Sequence, residues 1–195
     1  NIINVTSTGG IYRRPATWLK PPTMRERADV AIMLFDLTVS GVARNAVRVA
    51  NAAHAAGLST AVWLAQDRGE LRDALDPAIA QRSLGADLAP GYTRSERKQA
   101  SKALTEALAA FYAERSPAVA LSAGNHFHDL AVAARRLGGN CETRLVGRVS
   151  NAAPNANRTA NPVKVWLKRR KPAARYAAMD HLVAVSREIA EELVG

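Results

Sequence analysis

The chain has 195 residues, of which 48% are hydrophobic and 23% are charged, and its formal net charge is +10. This length and composition fit one globular domain with a real core and exclude an intrinsically disordered chain. Cys141 is the one cysteine, which excludes an internal disulfide and a cysteine-built metal site and makes a reduced, cytoplasmic setting the expectation. No run approaches the roughly 20 apolar residues that a membrane span needs.

From residue 28 onward, short apolar runs alternate with amphipathic stretches. The runs predict strands at 29–37, 59–65, 78–87, 118–123, 143–149 and 181–185. Helices are predicted between them, with apolar stripes on the first (Val42, Ala46, Val49, Ala53, Ala56) and on the long helix that ends near Arg115 (Ala100, Ala103, Leu104, Ala107, Leu108, Phe111). Gly57 and Ser186 are predicted to stop the first helix and cap the last one.

Strands that alternate with helices through short loops predict right-handed βαβ units. The predicted fold class is therefore α/β, a Rossmann-like doubly wound domain with a mostly parallel sheet over residues 28–195. Residues 1–27 are treated as an N-terminal extension to which no role is assigned.

The positive charge is concentrated in one segment. Between Thr143 and Met179 there is no Asp or Glu, and the basic residues are Arg144, Arg148, Arg158, Lys164, Lys168, Arg169, Arg170, Lys171 and Arg175. Such a segment favours an anionic partner, namely phosphate, nucleic acid or an anionic membrane surface. A solvated helix face with no ligand is the alternative.

Binding sites of doubly wound sheets lie at the carboxyl ends of the strands, so the residues after each strand are the candidates. The turn after the first strand contains Ser40, Gly41 and Arg44 and lacks the GxGxxG fingerprint of dinucleotide-binding proteins. The helix start behind it can still offer free N–H groups to an anion. Alternatively, Gly41 only makes the turn.

Polar residues also follow two later strands. Asn125, His126 and His128 come after 118–123, where a histidine can hydrogen-bond a polar substrate or simply lie at the surface. No third ligand accompanies the histidines, so no metal site is expected. Arg148, Ser150 and Asn151 follow the next strand and suit a hydroxyl-rich or anionic ligand. The sequence shows neither a catalytic triad nor a P-loop.

Several stretches, taken in their order and spacing, resemble a known family. They are "SGVARNAVRVANAAHAAG", "RGELRDAL", "SPAVALSAGNHFHDLAVAARRLG", "TRLVGRVSN" and "HLVAVSREIAEEL". Residues 29–195 resemble the N-terminal half of bacterial glycosyltransferases of family four, which have the GT-B fold. The first turn is similar to the family's "GGAER" loop at Gly41 and Arg44, with Ser40 in place of a glycine and Ala43 in place of glutamate.

The resemblance implies two Rossmann-like domains across a cleft, of which the nucleotide-sugar domain is absent from this chain. It implies that Ser40, Gly41 and Arg44 approach the donor phosphate and that Asn125 and His126 are the catalytic residues, binding a sugar hydroxyl at the reaction centre. The acceptor side would then be lined by His128, Arg148, Ser150 and Asn151. It further implies a retaining transfer from a nucleotide diphosphate sugar, with no metal and no bound cofactor.

By the same resemblance, the acceptor is a saccharide or a lipid-linked molecule of polysaccharide or glycolipid biosynthesis. A protein of this kind is cytoplasmic and can be peripheral at the inner membrane. The basic patch of Lys164, Lys168, Arg169, Arg170 and Lys171 suits anionic headgroups. We expect this chain to fold by itself but to lack transferase activity.

Two other functions remain open on the sequence. One is a non-enzymatic module that binds nucleic acid or a membrane surface through the basic segment. Nucleic acid is not expected, because a nucleic-acid-binding segment usually has aromatic residues among its basic ones, and this segment has only Trp166 and Tyr176. The other is a different GT-B-like enzyme, such as a sugar-nucleotide epimerase.

Overall fold

A computed structural model describes residues 4–5, 11–12, 28–85, 94–139, 142–150 and 174–194. Its strands are β1 (Asn4–Val5), β2 (Ile11–Tyr12), β3 (Val30–Leu34), β4 (Thr60–Leu64), β5 (Ala80–Ser83), β6 (Val119–Ser122), β7 (Arg144–Val149) and β8 (His181–Ala184). Its helices are α1 (Gly41–Ala55), α2 (Arg94–Arg115), α3 (Asn125–Leu137) and α4 (Arg187–Val194), with a 3-10 helix at Glu70–Ala74.

The main sheet has six parallel strands in the order β5-β4-β3-β6-β7-β8. The chain enters the sheet at β3, moves outward through β4 to β5, and returns along α2 to place β6 on the other side of β3. This is the strand order of a doubly wound Rossmann sheet, and the predicted fold is confirmed. The direction of winding reverses between β3 and β6, which makes their carboxyl ends the topological switch point. The short strands β1 and β2 pair with each other, antiparallel, outside this sheet.

Apolar residues cover both faces of the sheet, because the strands are buried on both sides. On one face, Met33 and Trp63 pack with the helices α2 and α3, and the Trp63 ring lies 5.4 Å from that of Phe111. On the other face, Ile32 and Val62 pack with α1. Successive residues of one strand thus belong to different clusters, as the alternation of a β-strand requires.

The buried faces of two helices differ from the predicted stripes. In α1 the buried residues are Ala43, Ala46, Val47 and Ala50, whereas the predicted Val42, Val49 and Ala53 are half-buried and Ala56 is exposed. In α2 the predicted Leu104, Leu108 and Phe111 are buried, but Ala103 is exposed. In an alanine-rich helix several faces are apolar, so the sequence pattern leaves the helix rotation undetermined. The sheet selects the face of α1 whose small residues let the helix approach closely.

The predicted stops agree with the structure. Gly57 follows α1 with φ +84°, the left-handed conformation of a helix end. The Ser186 side chain accepts a hydrogen bond from the Ile189 N–H at 3.4 Å at the start of α4. Most of the basic helix predicted around 163–176 lies outside the described residues. In the part of the chain that is described, no helix is long and apolar enough to cross a membrane.

Candidate functional site

The strands β3, β6 and β7 are neighbours in the sheet and run in the same direction. The turns that follow them therefore lie side by side at one edge. These turns carry most of the residues predicted to form the site. We call the edge formed by residues 35–41, 123–128 and 148–150 the carboxyl edge.

The start of α1 forms the first part of the carboxyl edge. The Ser40 hydroxyl accepts a hydrogen bond from the Ala43 N–H at 3.1 Å, and no acidic residue lies in the first turn of the helix. The N–H groups of Gly41 and Val42 have no partner within the helix, because the first turn of any α-helix lacks preceding carbonyls. Gly41 is exposed, and a Cβ placed there would meet nothing within 4 Å. This helix start can accept an anionic or hydroxyl group.

A cluster of hydrogen bonds among Asp36, Thr38 and Arg68 holds the loop before α1, and we call it the clamp. The sequence analysis did not predict it. One carboxylate oxygen of Asp36 accepts hydrogen bonds from the Thr38 N–H at 3.2 Å and the Thr38 hydroxyl at 2.7 Å, and the other accepts from Arg68 Nε at 3.0 Å. Burial alone raises the pKa of Asp36, but the hydrogen bonds from Thr38 and Arg68 outweigh it, so the pKa lies below its ordinary value. The signal was the Asp-x-Thr spacing directly after the strand, which favours this local turn.

Gly69 completes the clamp from the turn after β4. It has φ +119° and ψ 148°, and a Cβ there would overlap the backbone of Leu37 and Thr38. The Leu37 N–H donates to the Arg68 carbonyl at 2.9 Å, and the Leu37 carbonyl accepts from the Leu71 N–H at 3.0 Å. The loop that presents Ser40 and Gly41 is therefore fixed by a second loop.

The start of α3 forms the second part of the carboxyl edge and touches the first. Gly124 precedes the helix without a side-chain cap, and a Cβ there would lie 3.0 Å from a methyl carbon of Val42 in α1. The Asn125 side-chain oxygen accepts a hydrogen bond from the Ser150 N–H at 3.0 Å. Asn125 thereby joins the turns after β6 and β7, and the predicted residues Asn125 and Ser150 are in direct contact.

Arg148 lies in β7 and reaches back to β6. Its Nη1 donates to the Ala123 carbonyl at 3.3 Å, and the residue is half-buried. Burial lowers the pKa of Arg148 from its ordinary value, although an arginine keeps its charge at every physiological pH. The structure thus places a partly desolvated positive charge beside the start of α3.

The two histidines of the predicted site have different surroundings. His126 is exposed at the carboxyl edge and is available to a substrate. His128 is fully buried, with its Nδ1 2.7 Å from the Ser122 hydroxyl oxygen. Burial, with a smaller contribution from the positive charge of Arg175, lowers the pKa of His128 to about 4.

The pair of Ser122 and His128 has the separation of a nucleophile and its base. Both side chains are 0% exposed, however, so they are buried beneath the surface of the carboxyl edge. No substrate reaches them in this conformation. The pair therefore supports the packing of α3 on β6, and its burial argues against a direct contact between His128 and an acceptor.

Arg175 is a second residue of this region that the sequence did not single out from the other basic residues. Its Nη1 donates to the Asn125 carbonyl at 3.3 Å, and its Nε lies 2.8 Å from a carboxylate oxygen of Asp129. The neighbouring Tyr176 ring meets the His128 ring edge-on at 6.2 Å. The stretch before β8 is thus attached to the first two turns of α3.

The other residues predicted for the site are Arg44, Asn151 and the basic patch. Arg44 is exposed in the first turn of α1, with its backbone N–H bonded to the Ser40 carbonyl at 2.9 Å. Asn151 and the basic patch, from Lys164 to Lys171, lie outside the described residues. Within the described ranges, no group of three His, Cys, Asp or Glu side chains could hold a metal ion.

Neither protein-family models nor curated protein sequences match this chain. Solved structures do. The apo form of the lipopolysaccharide outer core galactosyltransferase WaaB matches with a TM-score of 0.60 and 12% identity, over 85% of this chain and 41% of that one. Sucrose-phosphate synthase from Thermosynechococcus elongatus matches with a TM-score of 0.60 and 13% identity, over 86% and 45%. UGT2 of Phytolacca americana, solved with UDP-2-fluoro-glucose and pterostilbene, matches with a TM-score of 0.53 and 8% identity, over 86% and 50%.

These structures are GT-B glycosyltransferases, and the present chain spans about half or less of each. At identities of 8% to 13%, the likeness concerns the fold. It is independent of the sequence motifs, because it rests on the path of the backbone. The chain therefore has the Rossmann-like fold of one part of a GT-B enzyme.

Proposed function

We propose that this chain is the N-terminal, acceptor-side domain of a retaining glycosyltransferase of family four, and that the enzyme transfers a sugar from a nucleotide diphosphate sugar. The observation that carries the proposal is the carboxyl edge. Its two adjacent helix starts lie at the switch point of a sheet whose structural neighbours are GT-B glycosyltransferases. Residues 1–27 are an extension, and the nucleotide-sugar domain belongs to a further part of the same protein.

The chemistry of sugar transfer fits the groups at this edge. Sugar transfer requires departure of a nucleoside diphosphate, whose negative charge fixed dipoles and donors stabilise better than a nucleophilic side chain does. The free N–H groups at the start of α1 supply such donors near Ser40 and Gly41. Asn125 and His126 would bind a hydroxyl of the transferred sugar, and no metal or bound cofactor takes part.

The acceptor would lie on the β7 side of the edge. Arg148 and Ser150 are described there, Asn151 follows, and His128 would act from beneath by supporting the α3 turn. We place the acceptor among saccharides or lipid-linked molecules of polysaccharide or glycolipid assembly in bacteria. The basic patch would hold a cytoplasmic protein at the surface of an anionic inner membrane.

The test is a transfer assay on the product of the complete gene beside the 195-residue chain. Each protein is incubated with UDP-glucose, UDP-galactose, GDP-mannose or ADP-glucose and with a panel of saccharide and lipid-linked acceptors. We expect transfer with retention from the two-domain protein alone. Robust transfer by the 195-residue chain, or no transfer by either protein, would overturn the proposal.

A matched pair of histidine variants tests the site. His126→Ala should lower the rate of transfer at least about tenfold, the effect of losing one substrate hydrogen bond. The control is His181→Ala. His181 is also exposed, but it begins β8 and so lies towards the amino ends of the strands, away from the carboxyl edge. Equal rates for the two variants would remove His126 from the site.

A non-enzymatic anion-binding module is the second candidate, favoured by the net charge of +10 and its concentration in one segment. Binding to vesicles with phosphatidylglycerol and to single-stranded RNA is compared over a range of salt concentrations. The glycosyltransferase proposal predicts vesicle binding that salt weakens. Tight RNA binding that increases with RNA length and persists at physiological salt would favour the module.

A further inference from the structure

Asn125 is held at two of its polar atoms by residues that are distant in sequence. Its side-chain oxygen accepts from the Ser150 N–H at 3.0 Å, and its main-chain carbonyl accepts from Arg175 Nη1 at 3.3 Å. Ser150 directly follows β7, and Arg175 shortly precedes β8. Both ends of the connection between these strands are therefore attached to the residue that begins α3.

The position of Arg175 beside the start of α3 is electrostatically unfavourable. The start of a helix carries a partial positive charge, so a guanidinium beside it is repelled rather than attracted. The side chain of Arg175 is nevertheless only 19% exposed. Its ion pair with Asp129 does little to offset this, because the Asp129 side chain is 73% exposed and exposed pairs contribute little.

A residue that breaks a local preference in a folded protein often serves a site. The hydrogen bond from Arg175 to the Asn125 carbonyl holds the first turn of α3, which presents Asn125 and His126 at the carboxyl edge. A lysine would replace it poorly, since the planar fork that carries Nη1 to the Asn125 carbonyl is rigid, whereas an ammonium group lies at the end of a flexible stem.

We propose that Arg175 is a positioning residue, which holds the first turn of α3 so that Asn125 and His126 face the reacting sugar. The claim that the turn serves a reaction rests on the proposed function. The claim that Arg175 sets the geometry of the turn rests on the contacts alone. The two claims are tested separately.

The geometric claim is tested by amide hydrogen exchange on the 195-residue chain. In Arg175→Ala, release of the Asn125 carbonyl should loosen the Asn125 side chain, and exchange of the Ser150 N–H should rise at least about tenfold. Exchange in the buried part of α3, at Ala131 and Ala134, should stay unchanged. Arg187→Ala is the control, because the Arg187 side chain is 90% exposed and its ion pair with Glu191 at 3.8 Å lies within the exposed face of α4.

Unchanged exchange at Ser150 would overturn the claim. So would an equal rise at Ser150, Ala131 and Ala134, which indicates loss of overall stability rather than of position. Arg175→Lys keeps the charge and serves the same test should the alanine variant not fold. It should resemble Arg175→Ala, and full recovery of Ser150 protection by lysine would contradict the fork argument.

The functional claim is tested by kinetics of the complete protein. Arg175→Lys should lower kcat for transfer at least about tenfold and leave KM for the nucleotide sugar nearly unchanged, because the donor phosphate is assigned to α1. An unchanged kcat would overturn the positioning role. If the wild-type protein transfers no sugar, the proposed function fails, while exchange at Ser150 still decides whether Arg175 sets the turn.

Discussion

The starts of α1 and α3 lie side by side at the switch point, yet they are built in different ways. At α1 the cap is local, since the Ser40 hydroxyl accepts from the Ala43 N–H, and the following Gly41 is exposed. At α3 the capping residue is Gly124, which offers no side-chain hydrogen bond. The α3 start is held instead by contacts from Ser150 and Arg175.

The difference shows how one edge can combine an open and a fixed surface. A helix start with a local cap needs no contact from residues that are distant in sequence, so its free N–H groups remain accessible to a ligand. A helix start that is held by distant residues can orient its side chains closely, because each contact removes some of their freedom. The proposed division between a donor side at α1 and a sugar-binding side at α3 follows this difference.

The largest expected effect is at Gly69, which fixes the loop before α1 from outside. Gly69→Ala should destabilise the fold by about 3 kcal/mol or more, because its backbone conformation is almost confined to glycine and the added Cβ overlaps Leu37 and Thr38. The measurement is the free energy of unfolding in urea.

Gly57→Ala is the matched control for Gly69→Ala. Gly57 also has positive φ, but a Cβ there meets nothing within 4 Å. Its cost should be about 1 kcal/mol, the strain of a left-handed alanine. Equal costs for the two variants would show that the contact between the loops is unimportant.

A second prediction concerns the buried support of the α3 start. The pKa of His128 is lowered to about 4 in the folded protein, against an ordinary value of 6.5. Between these two pH values the unfolded chain binds more protons, so the stability that comes from neutral His128 is fully present above pH 6.5 and is lost as the pH falls towards 4. The loss should approach about 3 kcal/mol.

The measurement for His128 is the free energy of unfolding in urea at several pH values. His128→Gln should remove most of the pH dependence in that window, whereas the exposed His126→Gln should leave it in place. If both variants retain the slope, another group is responsible for it.

The smallest expected effect is at the contact between the two helix starts. Gly124→Ala should cost about 1 to 2 kcal/mol, because its Cβ would lie 3.0 Å from a methyl carbon of Val42. Val42→Ala should relieve part of this cost when the two changes are combined. A double-mutant cycle of unfolding free energies measures the coupling, and strictly additive effects would mean that the helix starts are independent.

Much of the fold could be predicted from the sequence. The short apolar runs identified the strands of the parallel sheet, and Gly57 and Ser186 identified the ends of helices. The rotation of α1 could not be predicted, because alanine occurs on several of its faces. A pattern of apolar and polar residues determines a buried face only where the two classes alternate clearly.

The candidate site was predicted in part. The rule that binding residues lie near the carboxyl ends of the strands identified Ser40, Gly41, Asn125 and Arg148, because a parallel sheet brings these ends to one edge. It did not find the clamp at Asp36 or the role of Arg175. Asp36 and Arg68 are 32 residues apart in sequence, and Asn125 and Arg175 are 50 residues apart.

The sequence by itself determined the alternation of strands and helices, the stop of α1 at Gly57 and the cap of α4 at Ser186, because neighbouring residues decide these features. The tertiary structure alone decided that β6 lies beside β3, that His128 is buried while His126 is exposed, and that Asn125 is held by Ser150 and Arg175. These features depend on groups that meet only when the sheet has formed. Their interactions therefore leave no periodic pattern in the sequence.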